Sequence, residues 1–174
     1  MQSYTILLIG GHGTGKTSFL ERHKTGDFKK EYVPTLILGS TSLKFHTSLG
    51  LLNFEVFDCP VDDQKYLEQK CDAVISFYTN ESHDQTQKLL DAYIKIHPDV
   101  LVVTVWGLCD KNDPPFDKGH KYLTKDKQTY QVSGKSLYNY GKPFQHIMRS
   151  LSGDKTATFV FKNIETLTDI FCQN

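Results

Sequence analysis

The sequence lacks most features that would place it in a membrane, outside the cell or on nucleic acid. No apolar run approaches the ~20 residues of a bilayer span. Cys59, Cys71, Cys109 and Cys172 form no C-x-x-C pair and no metal-like spacing with the histidines. No secretory signal precedes them, so reduced, structural thiols in a cytosolic or nuclear protein are expected. Met1-Gln2 is not a myristoylation start, and Cys172 in the ending FCQN stands one place too late for a C-a-a-X box. Excess charge is missing as well: Lys plus Arg and Asp plus Glu are 20 each, which argues against a nucleic-acid partner, an acidic substrate or an anionic membrane surface. Repeats, low-complexity tracts and linkers are absent, and 174 residues suit one domain. A soluble, unlipidated, monomeric protein is expected, whose function has to be read from a local site.

What is present is an alternation of apolar runs and helical patterns. Tyr4 to Ile9 reads as a strand, followed by a glycine-rich turn and a helix from Lys16 to Thr25. Buried runs recur at Asn53 to Asp58, Ala73 to Tyr78 and Val100 to Trp106, with a periodic helix, Gln85 to Ile96, between the last two. A last strand is expected at Thr129 to Val132 and a last helix at Tyr140 to Ser152. Such alternation implies right-handed crossovers and an α/β, mostly parallel, doubly wound sheet. One stretch breaks the pattern: LILGSTSLKFHTSLGLLNFEVFD reads as two long strands joined at Ser48-Leu49-Gly50, an antiparallel hairpin at the sheet edge. A single domain over residues 1–161 is expected, with a short tail, 162–174, whose Ile164, Leu167 and Phe171 recur at helical intervals and are expected to pack on the domain.

The most specific signal is GGHGTGKTSF, where Gly10, Gly15, Lys16 and Thr17 fill every fixed position of the P-loop pattern G-x-x-x-x-G-K-[ST]. Glycines let backbone N–H groups wrap phosphates, and the following helix N-terminus adds its positive dipole end. Lys16 would reach the outer phosphates, and the Thr17 hydroxyl would ligate Mg²⁺. The nucleotide-binding set expected here is Gly10, Gly13, Thr14, Gly15, Lys16, Thr17 and Ser18. A chance glycine-rich turn is the competing reading, and the strand before and helix after it weigh against that. Small nucleotide kinases also carry this loop, but they clamp the transferred phosphate with several arginines. Here arginine is scarce, Arg22 and Arg149 only, each inside an expected helix.

With the loop placed, RHKTGDFKKEYVPTL, FHTSLG, VSGKSLYNYGKPF and GDKTATFVF resemble, in order and at nearly the same spacing, segments of the Ran branch of the Ras superfamily of small GTPases. The likeness covers about Thr5 to Val160 with a gap in the middle. It implies a P-loop G domain that binds GTP and GDP with Mg²⁺. By position, Phe28 would lie against the guanine ring, Thr35 would complete the Mg²⁺ and γ-phosphate contacts of switch I, and Asp58 would be the magnesium-side aspartate. The competing readings are a core aromatic for Phe28, a strand-end cap for Asp58 and a turn residue for Asp110, with the order of the motifs weighing against the cap.

After Asp58 the resemblance fails. The family's Asp-x-x-Gly-Gln gives way to DCPVDDQ: Val61 stands in place of the glycine, Asp62 in place of the glutamine that orients the attacking water, and Gln64 follows two residues late. An ionised carboxylate near the γ-phosphate adds negative charge and donates no hydrogen bond to the transition state. His12 replaces a loop glycine and is expected to fill room that an incoming arginine finger would need; nothing near it in sequence supplies an orienting acid for a catalytic role. No residue is therefore named catalytic with assurance, and slow or defective hydrolysis is expected. The base-selecting Asn-Lys-x-Asp reads Gly107-Leu108-Cys109-Asp110, keeping the aspartate alone, while Ser133-Gly134-Lys135 resembles the family's Ser-Ala-Lys loop. Guanine preference with weakened affinity follows. The resemblance further implies nuclear transport receptors of importin or exportin type, and an exchange factor, as partners, in nucleus and cytoplasm. The alternative is a pseudo-GTPase that copies the Ran surface and binds transport factors without turnover.

Overall fold

The computed structural model describes residues 2–27, 38–107 and 128–160. Its elements run β1 (Gln2–Gly10), α1 (Lys16–Thr25), β2 (Gly39–Thr47), β3 (Gly50–Asp58), a 3₁₀ turn (Gln64–Glu68), β4 (Ala73–Tyr78), α2 (His83–Ile96), β5 (Leu101–Trp106), β6 (Thr129–Gln131) and α3 (Lys142–Ser152). Six strands form one sheet in the order β2-β3-β1-β4-β5-β6. All neighbours are parallel except β2 and β3, which pair antiparallel across the expected hairpin.

The strands show why the sequence reads as it does. In β4 every residue is buried, because helices cover both faces of a central parallel strand and leave no polar side. The edge strand β2 alternates instead, with Leu43 and Phe45 inside and Ser42, Lys44 and His46 outside. Ile6, Leu8, Phe54, Val56, Ile75 and Phe77 face one core with Phe19 and Leu20 of α1 and Phe144 and Ile147 of α3. Leu7, Ile9 and Val74 face a second, smaller core with Leu90 and Tyr93 of α2. Among the described residues no helix is long and apolar enough to cross a membrane.

Several strand ends shift by one or two residues, and two helix starts differ from those expected. Helix α3 begins at Lys142 rather than Tyr140, because Pro143 lacks an N–H and belongs in a first turn. The residues before it form a turn in which Leu137 and Asn139 take left-handed φ of 64° and 54° and Tyr140 N–H donates to Leu137 O. Helix α2 starts two residues early, at His83, after Thr79 and Ser82 close a turn through their hydroxyls.

Helices α1 and α2 lie on opposite faces, and the connections out of β1 and β4 diverge there. The carboxyl ends of β1, β4, β5 and β6 thus open on one crevice, the usual place for a ligand in such sheets.

Candidate functional site

The crevice floor is the loop Gly10 to Gly15. Its glycines serve different ends. A Cβ on Gly10 would come within 2.8 Å of Phe77 O and of Thr14 Oγ1, and one on Gly11 within 2.6 Å of Gln85 Oε1, so both are required by close packing. Gly13 and Gly15 instead take φ of 67° and 89°, where side chains are strained, and nothing lies within 4 Å of a Cβ on Gly13. Gly13 is exposed and uncrowded, which leaves its backbone open to a ligand. Gly15 caps α1 without a side chain, and the helix carries no acidic residue in its first turn. The positive end of the helix is therefore left to an anion from outside.

Lys16 is nearly buried beneath the loop, its Nζ donating to Gly10 O at 2.7 Å and Gly11 O at 3.2 Å. Burial pushes its pKa below the usual lysine value, and the Asp58 carboxylate partly opposes that shift. Phosphate oxygens in the crevice would favour the ammonium further. The pairing of β3 with β1, Leu8 opposite Asp58, carries Asp58 to the same level, where its Oδ2 accepts from the Thr17 hydroxyl at 2.5 Å. A hydroxyl and a carboxylate brought together at a buried point suit a hard, oxygen-seeking cation such as Mg²⁺. Among the described residues no group of three or more His, Cys, Asp or Glu forms a metal cage. Mg²⁺ held by Thr17 and Asp58 would take its remaining ligands from phosphate and water, as that ion commonly does.

Ser82, just before α2, and Gln85 and Thr86 in its first turn hold the front of the loop, roles that nothing near them in sequence announces. Thr86 Oγ1 accepts the Gly11 N–H at 2.9 Å and donates to Phe77 O at 3.0 Å, and Gln85 Oε1 accepts the His12 N–H at 3.1 Å. Ser82 packs against Gly11. Ser82-x-x-Gln85 has the form of a helix capping box, the one signal in the sequence, but Gln85 is spent on the phosphate loop instead of on its own helix end.

His12 meets an acid after all. Its Nε2 lies 3.6 Å from Asp62 Oδ2, so the fold supplies from far along the chain the acid that nothing near His12 in sequence does. Both side chains are well exposed, and such a pair contributes about 1 kcal/mol or less. Gln64 does not join them; it lines a groove of about 600 Å³ with Leu67, Ile96 and His97, at the far end of α2.

The segment bearing Asp62 is held chiefly from its other side. Tyr66 is buried in the smaller core, 6.3 Å from the Tyr93 ring and stacked on it, with its hydroxyl donating to Leu89 O at 3.3 Å. Tyr93 OH donates to Gln69 O at 2.6 Å, and His97 Nε2 contacts Leu67 O at 2.9 Å. Burying such a ring is worth about 2 kcal/mol, and each hydrogen bond adds about 1 kcal/mol. The anchorage to α2 therefore exceeds the contact with His12 several-fold.

At the end of β5, Gly107 N–H donates to Tyr78 O at 2.9 Å, and a Cβ on Gly107 would lie 2.7 Å from Thr14 O. The missing asparagine is thus a close approach of two backbones rather than an empty slot. Trp106, just before it, stacks on Tyr78 with centroids 6.2 Å apart. Val132 N–H donates to Trp106 O, which sets Ser133-Gly134-Lys135 beside Gly107, and the buried Ser133 accepts the Ser136 N–H through its hydroxyl at 3.1 Å. Phe28, Thr35, Leu108, Cys109, Asp110 and the tail 162–174 lie outside the described residues. Residues 5–153 of this chain match the model of the Ras family.

Proposed function

The chain belongs to the Ras family of GTP-binding small GTPases, and within it we propose a Ran-like guanine-nucleotide switch that needs Mg²⁺ and hydrolyses GTP slowly. The observation that carries this reading is the contrast inside one crevice. The phosphate loop keeps every part needed to hold a nucleotide, down to the Thr17–Asp58 pair. The position of the water-orienting glutamine is taken by Asp62, turned toward His12.

Lys16 and the backbone of Gly13 to Ser18 hold the phosphates, Thr17 and Asp58 hold the cation, and Ser133 to Lys135, with Phe28 and Asp110, flank the base. Thr35 completes the phosphate contacts. The cation, when bound, neutralises charge on the outer phosphates. Nothing in this set donates to the charge that develops on the γ-phosphoryl group apart from Lys16 and the loop backbone. Asp62 instead adds negative charge, and the His12 ring fills part of the space above the loop. Importin- or exportin-type receptors are the proposed partners, in nucleus and cytoplasm, on the strength of the Ran-like stretches.

Gly107 supports a second reading. Its contact with Thr14 leaves no room for the asparagine that helps to fix guanine, as expected of a pseudo-GTPase that binds transport factors without turnover. One experiment separates the two. Nucleotide released from the purified protein by denaturation is identified by anion-exchange chromatography, and bound GTP is followed over hours with Mg²⁺. Binding to a purified importin-type receptor is measured in parallel with GTP, GDP and no nucleotide. GTP retained uncleaved, with GTP-dependent receptor binding, supports the slow switch. Turnover at an ordinary small-GTPase rate sinks the slow-hydrolysis reading, and a site that refuses added GTP while the receptor still binds favours the second.

A further inference from the structure

We infer that the segment Pro60 to Gln69, which stands in the place of switch II, is clamped to α2 and keeps one conformation whichever nucleotide is bound. This rests on the nucleotide-binding reading above and goes beyond it, since it removes one of the two segments through which a bound γ-phosphate could be reported to a partner.

The clamp is built from several independent holds. Tyr66 is buried in the smaller core, stacked on Tyr93, and hydrogen-bonded to Leu89 O. Tyr93 and His97 reach back to the carbonyls of Gln69 and Leu67. The 3₁₀ turn is closed at its start by Asp63, which accepts the Lys65 N–H at 3.0 Å, and at its end by Gln69 N–H on Tyr66 O at 3.2 Å. Beyond it, Asp72 is tied to β1 twice: its N–H donates to Thr5 O at 2.9 Å, and its Oδ2 accepts the Thr5 N–H at 2.7 Å. At the other end, Pro60 fixes its own φ and offers no N–H.

On the phosphate side there is little to pull against these holds. The side-chain contact from this segment to the loop is the exposed His12–Asp62 pair. Val61 offers a single backbone N–H, with a branched side chain that limits its approach. A ligand moves an equilibrium only by its differential affinity for the two states. One N–H contact to a γ-phosphate does not match a buried ring with its hydrogen bonds. The groove beside Gln64, Leu67, Ile96 and His97 is then a surface of constant shape, and partners that read nucleotide state must read it elsewhere.

Hydrogen exchange read by mass spectrometry tests this on the full chain, as purified and after loading with GDP or GTPγS and Mg²⁺, with loading checked by released nucleotide. Peptides covering 61–72 are expected to exchange at rates that agree within about twofold in all states. A difference above about tenfold between GDP and GTPγS overturns the clamp while leaving nucleotide binding intact. If no nucleotide loads, the nucleotide reading fails by itself and the clamp is judged on Tyr66→Ala and the milder Tyr66→Phe. The first should speed exchange over 63–69 at least about tenfold with β1 unchanged, and the second by a smaller factor. Unchanged exchange in both variants overturns the clamp.

Discussion

His23 sits on α1, about two turns beyond the loop that ends at Gly15, with no solvent exposure at all. Its ring stacks on Tyr140 at 4.4 Å and meets the edges of Phe19 and Phe144, while Nδ1 lies 2.8 Å from Phe19 O and so must donate to it. Burial pushes its pKa from 6.5 down to about 3, against a smaller upward effect of the backbone contacts. A lowered histidine pKa means that the unfolded chain takes the proton first. Stability is intact above about pH 6.5 and falls as pH drops between there and about 3, because over that window the unfolded state holds more protons. The slope is about 1.4 kcal/mol per pH unit, which removes about 2 kcal/mol by pH 5 and approaches 5 kcal/mol by pH 3. Urea unfolding at a series of pH values between about 8 and 5 measures the loss directly as a shift in midpoint at constant slope m. A His23→Leu variant supplies the comparison: it is less stable at neutral pH by about 1–3 kcal/mol through the lost hydrogen bond and changed packing, but its profile is flatter. If wild type and variant lose stability in parallel on acidification, His23 does not stay neutral in the folded chain and the account of its pocket is wrong.

Other perturbations reach the site itself. Gly107→Asn, which restores the family's residue, is expected to weaken nucleotide binding at least tenfold by calorimetry, because its Cβ would collide with Thr14 O; tighter binding would refute that. Asp62→Gln alone should leave single-turnover GTP hydrolysis within about tenfold of wild type, since the segment is held by Tyr66 and carries no glycine at Val61. A much larger gain would show that Asp62 by itself is the block. Thr17→Ala should cost at least about tenfold in nucleotide affinity with Mg²⁺ present and much less in EDTA, because it removes the hydroxyl paired with Asp58; equal losses in both media would place the cation elsewhere.

Patterns carried by neighbouring residues were legible from the sequence. The apolar run of β4, interrupted only by Ser76, read as a buried strand, and the two long strands about Ser48-Leu49-Gly50 read as an edge hairpin, as the sheet has them. The loop between β1 and α1 was legible as a glycine turn, since a strand and a helix flank glycines at fixed spacing. Contacts closed by the fold were not. Asp62 reaches His12, and Gln85 and Thr86 reach Gly11 and His12, only because β1, β3 and β4 align their ends. Nothing in the polar stretch about Tyr66 marks that residue as buried, because a 3₁₀ turn of five residues has no period from which its buried side could be read. The absence of asparagine at Gly107 looked like a lost function, whereas a backbone approach that admits no side chain occupies the position.

Trp106 is the chain's single tryptophan, stacked on Tyr78 and bonded directly to the residue that touches the Thr14 carbonyl. The protein therefore carries its own fluorophore at the joint between base pocket and phosphate loop. Whatever shifts Thr14 as the loop fills shifts the surroundings of the buried indole too, so intrinsic emission, free of any dye or labelled nucleotide, becomes a real-time record of occupancy in unmodified protein.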